Sequence, residues 1–321
     1  MSTATAVAHP NIALVKYWGK RDVPRNLPAV PSLSLTLGGF ETRTTVTWGA
    51  PTDTVELDGA PAPEKAAAKV RAFLDLLDPQ RPPCRVVSAN SFPTGAGLAS
   101  SASAFAALAL AGAAAAGQDT DPVRLSILAR QGSGSASRSL WGGFVVWQAG
   151  ERADGLDSHG VPLLPADAWD VRMVVGVVST AAKAVGSTEG MERSRATSPL
   201  YATWLAQAAS DLDEGRRAVL ARDLDGLGRV MEASTYKMHA TMMTSQPPLL
   251  YWQPGSVACL QAVWRLRAEE GVSAWTTMDA GPQVKVLCAA ADAERVAAVL
   301  APHAARVHVL GPGGPARLEP A

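Results

Sequence analysis

The sequence predicts a mixed α+β chain of two domains, a β/α half followed by a second α/β half. Three observations carry this. Apolar residues recur with period two in some stretches and with helical period in others, along the whole length. The chain has 321 residues, 47% hydrophobic and 18% charged, an ordinary globular composition with enough apolar surface for about two cores. A β-β-α-β pattern then closes the chain after a long helical stretch. We divide it into residues 1–180 and 181–321.

Residues 1–10 lack a basic segment followed by an apolar core, so no secretory signal is expected. In residues 11–22, Ile12, Leu14 and Val15 predict a strand that turns at Gly19. Lys16, Lys20, Arg21 and Arg25 are interleaved there with Tyr17 and Trp18, and Asp22 alone opposes them. Such lysines are ordinarily solvated and such aromatics ordinarily packed. A compact cationic patch beside a tyrosine hydroxyl also suits a diphosphate. Residues 31–37 alternate leucines with hydroxyls, a half-buried strand, and 43–48 reads as its hairpin partner. Val70, Phe73, Leu74 and Leu77 mark an amphipathic helix over 63–77, and 84–88 is a further strand.

That strand delivers the chain to P-T-G-A-G-L-A-S-S-A-S at 93–103. Gly95, Ala96, Gly97, Leu98 and Ala99 form a glycine-bearing loop, and an alanine-rich helix is expected over 98–116. A loop feeding a helix N-terminus leaves backbone N–H groups free beside the positive end of the helix dipole, which suits phosphate. The hydroxyls of Ser100, Ser101 and Ser103 add donors for phosphate oxygens or ligands for Mg²⁺. No lysine follows the second glycine, so this is not the G-x-x-x-x-G-K-[ST] loop. An isolated loop of this kind is more often a plain capped helix start. The alanine-rich run is a poor membrane span, because alanine adds little apolar area and the serines crowd its first turns.

Asp121 and Pro122 start a helix that runs to about Arg130. Between it and a strand at 144–147 lies Q-G-S-G-S-A-S-R-S-L-W-G-G-F, residues 131–144. Flanked so closely by regular elements, this is a tight loop and not a flexible spacer. Arg138 sits there among Ser133, Ser135, Ser137 and Ser139 with no acid nearby in sequence, suited to a bidentate grip on a carboxylate. Residues 171–178 read as a central strand, and 179–197, with Lys183, Arg193 and Arg195, as a mobile loop at the domain junction. Helices follow at about 200–215, 223–243 and 256–270, with His239 assigned to packing or a local hydrogen bond. The closing elements are strands 273–278 and 284–288, helix 292–300 and strand 305–310. Asp279, in M-D-A-G-P at 278–282, is ordinary turn chemistry, yet its place at a buried strand end makes it a candidate carboxylate.

Charge balances at 29 basic against 29 acidic residues, which argues against nucleic acid but not against a small anion. Cys84, Cys259 and Cys288 are few, odd in number and far apart, so neither a disulfide framework nor a zinc site is expected. The cytoplasm fits best.

The string at 93–103 resembles the phosphate loop of the GHMP kinase superfamily. N-I-A-L-V-K-Y-W-G-K-R at 11–21, G-S-G-S-A-S-R-S-L-W-G-G-F at 132–144 and T-M-D-A-G-P at 277–282, with shorter matches between, resemble the mevalonate diphosphate decarboxylases of that superfamily. The matches span nearly the whole chain in the family's order. The resemblance implies the GHMP kinase fold, an N-terminal β/α domain and a C-terminal ferredoxin-like domain with the active site between them. It implies ATP and Mg²⁺ as cofactors, mevalonate 5-diphosphate as substrate and a homodimer. By it Asp279 is the base or orienting group at the 3-hydroxyl, Arg138 holds the carboxylate with Ser133, Ser135 and Ser139 around it, and Lys16 lies close to Asp279. Tyr17 and Lys20 bind the diphosphate, Trp18 and Arg193 are further substrate-binding residues, and residues 95–103 hold ATP. Glu192 stands where some bacterial relatives place serine, and would repel a diphosphate unless it turns outward. Three alternatives stay open: a kinase without decarboxylation, such as a mevalonate 3-kinase, a decarboxylase of a differently phosphorylated mevalonate, and a catalytically silent ligand sensor on this fold.

Overall fold

The protein is described by a computed structural model covering residues 2–92, 100–181 and 183–320. The chain opens with β1 (Ser2–Ala8) and β2 (Asn11–Val15), then turns at Gly19, whose φ of 109° disfavours any side chain. A Cβ there would also run into the Tyr201 hydroxyl. A two-stranded ribbon follows, β3 (Lys20–Asp22) with β4 (Leu27–Pro28), and then β5 (Ser32–Thr36), β6 (Thr42–Trp48), β7 (Thr54–Leu57) and β8 (Ala60–Pro61). Helix α1 (Glu64–Leu77) buries Phe73, Leu74 and Leu77, the apolar face its sequence announced. After β9 (Cys84–Asn90), α2 (Ser100–Ala115) is apolar on all sides and buried on nearly all, as a core helix should be. Asp121 caps α3 (Pro122–Gly132) by accepting from the Arg124 N–H. A single 3₁₀ turn at Gly134–Ser137 leads through Arg138 to β10 (Phe144–Trp147), and β11 (Gly160–Leu164) follows.

The second half begins with β12 (Val171–Val177), a strand expected in residues 1–180 that pairs instead with C-terminal strands. Next come α4 (Ser187–Thr197), α5 (Tyr201–Ala221), α6 (Leu224–Met243) and α7 (Pro254–Glu270). The chain finishes with β13 (Ala274–Thr277), β14 (Val284–Ala289), α8 (Ala293–Leu300), β15 (Arg306–Leu310) and β16 (Arg317–Leu318). The segment expected as a loop over 179–197 is thus helical in its second half. Glu189–Arg193 and Glu192–Arg195 ion pairs support α4 from its surface.

Three main sheets organise these elements. Their strand orders are β16-β1-β6-β9-β7-β8, β11-β10-β5-β2 and β13-β14-β12-β15. The expected hairpin of β5 with β6 is not formed: β5 lies between β2 and β10, and β6 between β1 and β9, in different sheets. Nor is β5 half-buried. Leu33 and Leu35 face a core, while Ser32, Ser34 and Thr36 are covered on the other side, where they bond Arg138, Val145 O and Trp141 O. Hydroxyl alternation reads as solvent exposure only when no other element covers that face.

One apolar core unites Ile12, Leu14, Leu33, Leu35 and Phe144 with Met173, Val175, Leu212, Met231 and Leu287. It sits where β2 and β5 meet α5, α6 and the C-terminal sheet, so the two halves share a dry seam. A cleft opens at the end of that seam. Among the described residues, no helix is long and apolar enough to cross a membrane.

Candidate active site

Helix α6 fixes the cleft floor by touching both halves at successive residues. Ser234 Oγ accepts from the Lys16 backbone N–H just past β2 at 3.0 Å, and Thr235 Oγ1 lies 3.0 Å from Thr277 Oγ1 at the end of β13. Lys16 and Asp279, 263 positions apart in sequence, therefore meet: Lys16 Nζ donates to Asp279 Oδ1 at 2.7 Å. A second ammonium, Lys285 Nζ of β14, donates to Asp279 Oδ2 at 2.7 Å. Both lysines are buried, while the Asp279 side chain is one-third exposed at the cleft.

Burial pushes the Asp279 carboxyl up, but Lys16 and Lys285 together outweigh it and hold the group well below the usual carboxylate range. Asp279 is therefore ionised at neutral pH. Burial lowers Lys16 to about 8, partly opposed by Asp279 and reinforced by Lys285 and Arg138. Sequence reasoning missed Lys285. Its signal was a lysine within the otherwise apolar run V-K-V-L-C at 284–288, in a strand that reads as buried.

Arg138 forms the second cationic feature. It is 2% exposed, and its Nε and Nη2 donate to Asn11 Oδ1 at 3.1 and 2.9 Å while Nη1 donates to Ser32 Oγ at 2.7 Å. Asn11 is oriented in turn by donating to Ser135 O and Ser139 Oγ. Among the described residues no carboxylate pairs with Arg138; its N–H donors are met by neutral groups, and Asp279 acts on it only across space. Burial lowers Arg138 to about 10.

The cleft encloses about 710 Å³ and is lined by Asn11, Lys16, Tyr17, Trp18, Lys20, Lys69, Ser100, Ser101, Ser133, Ser135, Arg138, Lys183, Asp279 and Lys285, among others. The Tyr17 hydroxyl is buried and has no hydrogen-bond partner among the described residues. Burial holds it protonated, above the usual tyrosine range, so it can donate. Lys20 is half-buried and makes no hydrogen bond or ion pair among the described residues. Burial lowers it, and nearby Lys69 adds to the effect. Ser101 Oγ lies 3.1 Å from Ser133 Oγ, tying the start of α2 to the loop before Arg138.

Other expected site residues lie elsewhere. Ser103 is fully buried, its hydroxyl 2.6 Å from Thr42 Oγ1, so it faces the sheet and not the cleft. Ser139 also stands behind the wall, accepting from Asn11 and orienting it. Arg193 is held on α4 by Glu189 at 2.7 Å and does not line the cleft. Glu192 turns outward to Arg195, both exposed, so it does not face an anion there. Gly95, Ala96, Gly97, Leu98 and Ala99 lie outside the described residues. His239 accepts from Trp252 Nε1 at 3.0 Å, and burial lowers it to about 4, as a neutral packing histidine.

Residues 8–160 match the diphosphomevalonate decarboxylase-like N-terminal domain, and residues 173–308 match the mevalonate 5-diphosphate decarboxylase C-terminal domain. The chain belongs to the diphosphomevalonate decarboxylase family. It is 40% identical over 324 residues to the Aspergillus fumigatus diphosphomevalonate decarboxylase, covering 92% of this chain and 79% of the relative. The human diphosphomevalonate decarboxylase is 37% identical over 311 residues, with 89% and 76% covered. Among solved structures, mevalonate diphosphate decarboxylase from Staphylococcus aureus superposes with a TM-score of 0.94 at 35% identity, covering 99% of this chain and 98% of that one. Another solved chain, in complex with MVAPP, AMPPCP and magnesium, gives 0.92 at 38% identity, with 100% and 99% covered. These family members share the GHMP kinase fold that the phosphate-loop string implied.

Proposed function

We propose that this protein catalyses the ATP-dependent decarboxylation of mevalonate 5-diphosphate to isopentenyl diphosphate, with ADP, phosphate and CO₂ as the other products. Family membership over both halves supports the reaction. The structural observation that carries it is a cleft holding an ionised, lysine-bound Asp279 together with an arginine that has no anionic partner among the described residues.

The chemistry divides between these two features. Asp279 is placed to accept a hydrogen bond from the tertiary 3-hydroxyl and to orient or take its proton as the oxygen attacks the γ-phosphorus of ATP. Lys16 keeps that carboxylate in place and sets a positive charge beside the transferring phosphoryl group. Arg138, splayed between Asn11 and Ser32, holds the substrate carboxylate. Once phosphate departs from C3, the electrons of the carboxylate's C–C bond form the alkene and CO₂ is released. Tyr17 and Lys20, whose hydroxyl and ammonium have no partner among the described residues, bind the diphosphate, and Ser100 and Ser101 at the α2 N-terminus face the ATP phosphates.

Among the described residues no three acidic, histidine or cysteine side chains gather into a metal cage. The cleft instead offers hydroxyls and one carboxylate, a donor set that fits Mg²⁺ carried on nucleotide phosphates. Bound there, Mg²⁺ supplies charge neutralisation along the phosphate chain. We further propose a homodimer, supported by exposed Val257 and Trp264, seven residues apart on one face of α7, and tested by light scattering. A cytoplasmic location is supported by three cysteines that are all buried and free.

The decisive assay offers mevalonate carrying zero, one or two phosphates, with ATP and Mg²⁺, and follows ADP and CO₂ together. Equal release with the diphosphate supports the proposal. ADP without CO₂ would make the protein a kinase, and CO₂ release from another phosphorylation state alone would change the substrate.

A further inference from the structure

We propose that Lys285 is a positioning residue, whose ammonium holds Asp279 Oδ2 opposite Lys16 on Oδ1 and so presents the carboxylate to the substrate in one fixed plane. This rests on the reading of Asp279 given above. Lys285 occupies an unusual place for a lysine. It is 1% exposed in β14, between Val284 and Val286, which pack into the core beneath α7 and α8, and it pairs across the sheet with Thr277 and Val175. Its one hydrogen bond among the described residues is to Asp279, at 2.7 Å.

The two lysines are not equivalent. Lys16 is anchored by its own strand, donating also to Ala13 O at 2.8 Å, and one ammonium is enough to balance one carboxylate. A second buried ammonium is not needed for charge balance, and it carries a desolvation cost. What it adds is geometry. A carboxylate held at one oxygen can turn about its terminal bond, whereas one held at both oxygens from opposite strands cannot. The other titratable groups facing Asp279 are His239 from α6, Lys183 from the segment before α4 and Arg138 after the 3₁₀ turn. None is an anion, so among the described residues no competing carboxylate draws Lys285 away.

The test is the pH profile of kcat and kcat/KM for the full chain with Lys285→Met, Lys285→Arg and Asp279→Asn, each checked for ATP binding by tryptophan fluorescence. Lys285→Met is expected to lower kcat by about 10–100-fold, the scale of a misplaced catalytic group, while KM for ATP stays within about threefold. Its acid limb should also rise into the range of an ordinary carboxylate, roughly pH 4–5, because Asp279 has lost one of two cations. Lys285→Arg keeps the charge, so it should keep the wild-type acid limb and recover much of the rate. Lys285→Gln serves as the neutral variant if the methionine protein does not bind ATP. Wild-type kcat and profile in a neutral variant, beside an inactive Asp279→Asn, would overturn the role of Lys285 alone. A fully active Asp279→Asn would overturn the reading of Asp279 and this proposal with it.

Discussion

The cleft carries two buried cationic features that solve the same electrostatic problem in opposite ways. On the floor, Lys16 and Lys285 each face an oxygen of one carboxylate, so both cations have an anionic partner within the protein although one positive charge is left over. On the wall, Arg138 is equally buried, but among the described residues its N–H donors meet Asn11 and Ser32, neutral groups that satisfy them without cancelling the charge. Burying an uncompensated cation costs stability, and hydrophobic residues of similar size would be cheaper. The difference teaches where the substrate's charge is wanted. The floor keeps its own anion for a proton-orienting task, and the wall leaves its charge open for an anion that arrives and departs.

Breaking the floor should cost most. Asp279→Asn keeps size but removes charge and basicity, so kcat should fall about 10²–10⁴-fold with ATP affinity retained. ADP and CO₂ should fall together, since decarboxylation needs the phosphorylated intermediate; kcat near wild type would make Asp279 a turn residue. Altering the wall comes next. Arg138→Lys keeps a cation but loses the planar fork, and kcat/KM for the diphosphate substrate should drop about 10–100-fold with measurable turnover left.

Titration sharpens the same contrast. Burial lowers Lys16 to about 8, so its proton leaves, and its pairing with Asp279 is lost, as pH rises through that value. The kcat/KM profile of the free enzyme should therefore decline above about pH 8, and in Lys16→Arg the decline should move beyond about pH 10. An alkaline limb that stays near 8 in Lys16→Arg would assign it to another group. Tyr17→Phe and Lys20→Ala each remove one donor to a charged group, and KM for the diphosphate should rise roughly tenfold with ATP binding little changed. The smallest effect is expected from Glu192→Ser. The carboxylate points outward to Arg195, so both kinetic constants should stay within about twofold.

Much of this is legible in the sequence because the informative residues break local rules. Arg138 among serines with no acid stands out in the bare chain of residues, whereas Asp279 reads locally as turn chemistry and is singled out by its place at the end of an apolar strand. Most helices and the strands β2, β5, β6, β9, β10 and β12 to β15 follow from periodicity, whereas β1, β7, β11 and β16 carry too weak a pattern to be read; helix caps such as Asp121 and Asp223 sit where their side chains accept backbone N–H bonds. What escapes is set by long-range pairing. Nothing local tells β5 that its hydroxyl face will be covered by the segment that carries Arg138 and Trp141, or that β6 will join another sheet. Lys285 escapes for the same reason: its partner lies across a turn, and within its own strand it reads as an interruption. Helix α4 is obscured by its glycine and serines, and is supported by ion pairs that form only once it is wound.

The claim that the unpartnered charge of Arg138 exists for the substrate's carboxylate has one direct measurement. Dissociation constants are determined by calorimetry for mevalonate 5-diphosphate and for its carboxamide analogue, with the wild-type protein and with Arg138→Gln. A desolvated charge-assisted pair corresponds to about 1.5–3 kcal/mol, so the wild type should prefer the carboxylate by roughly 10–150-fold. In Arg138→Gln that preference should collapse to within about threefold. An equal preference in both proteins would show that another group grips the carboxylate, and would contradict the division of roles between wall and floor.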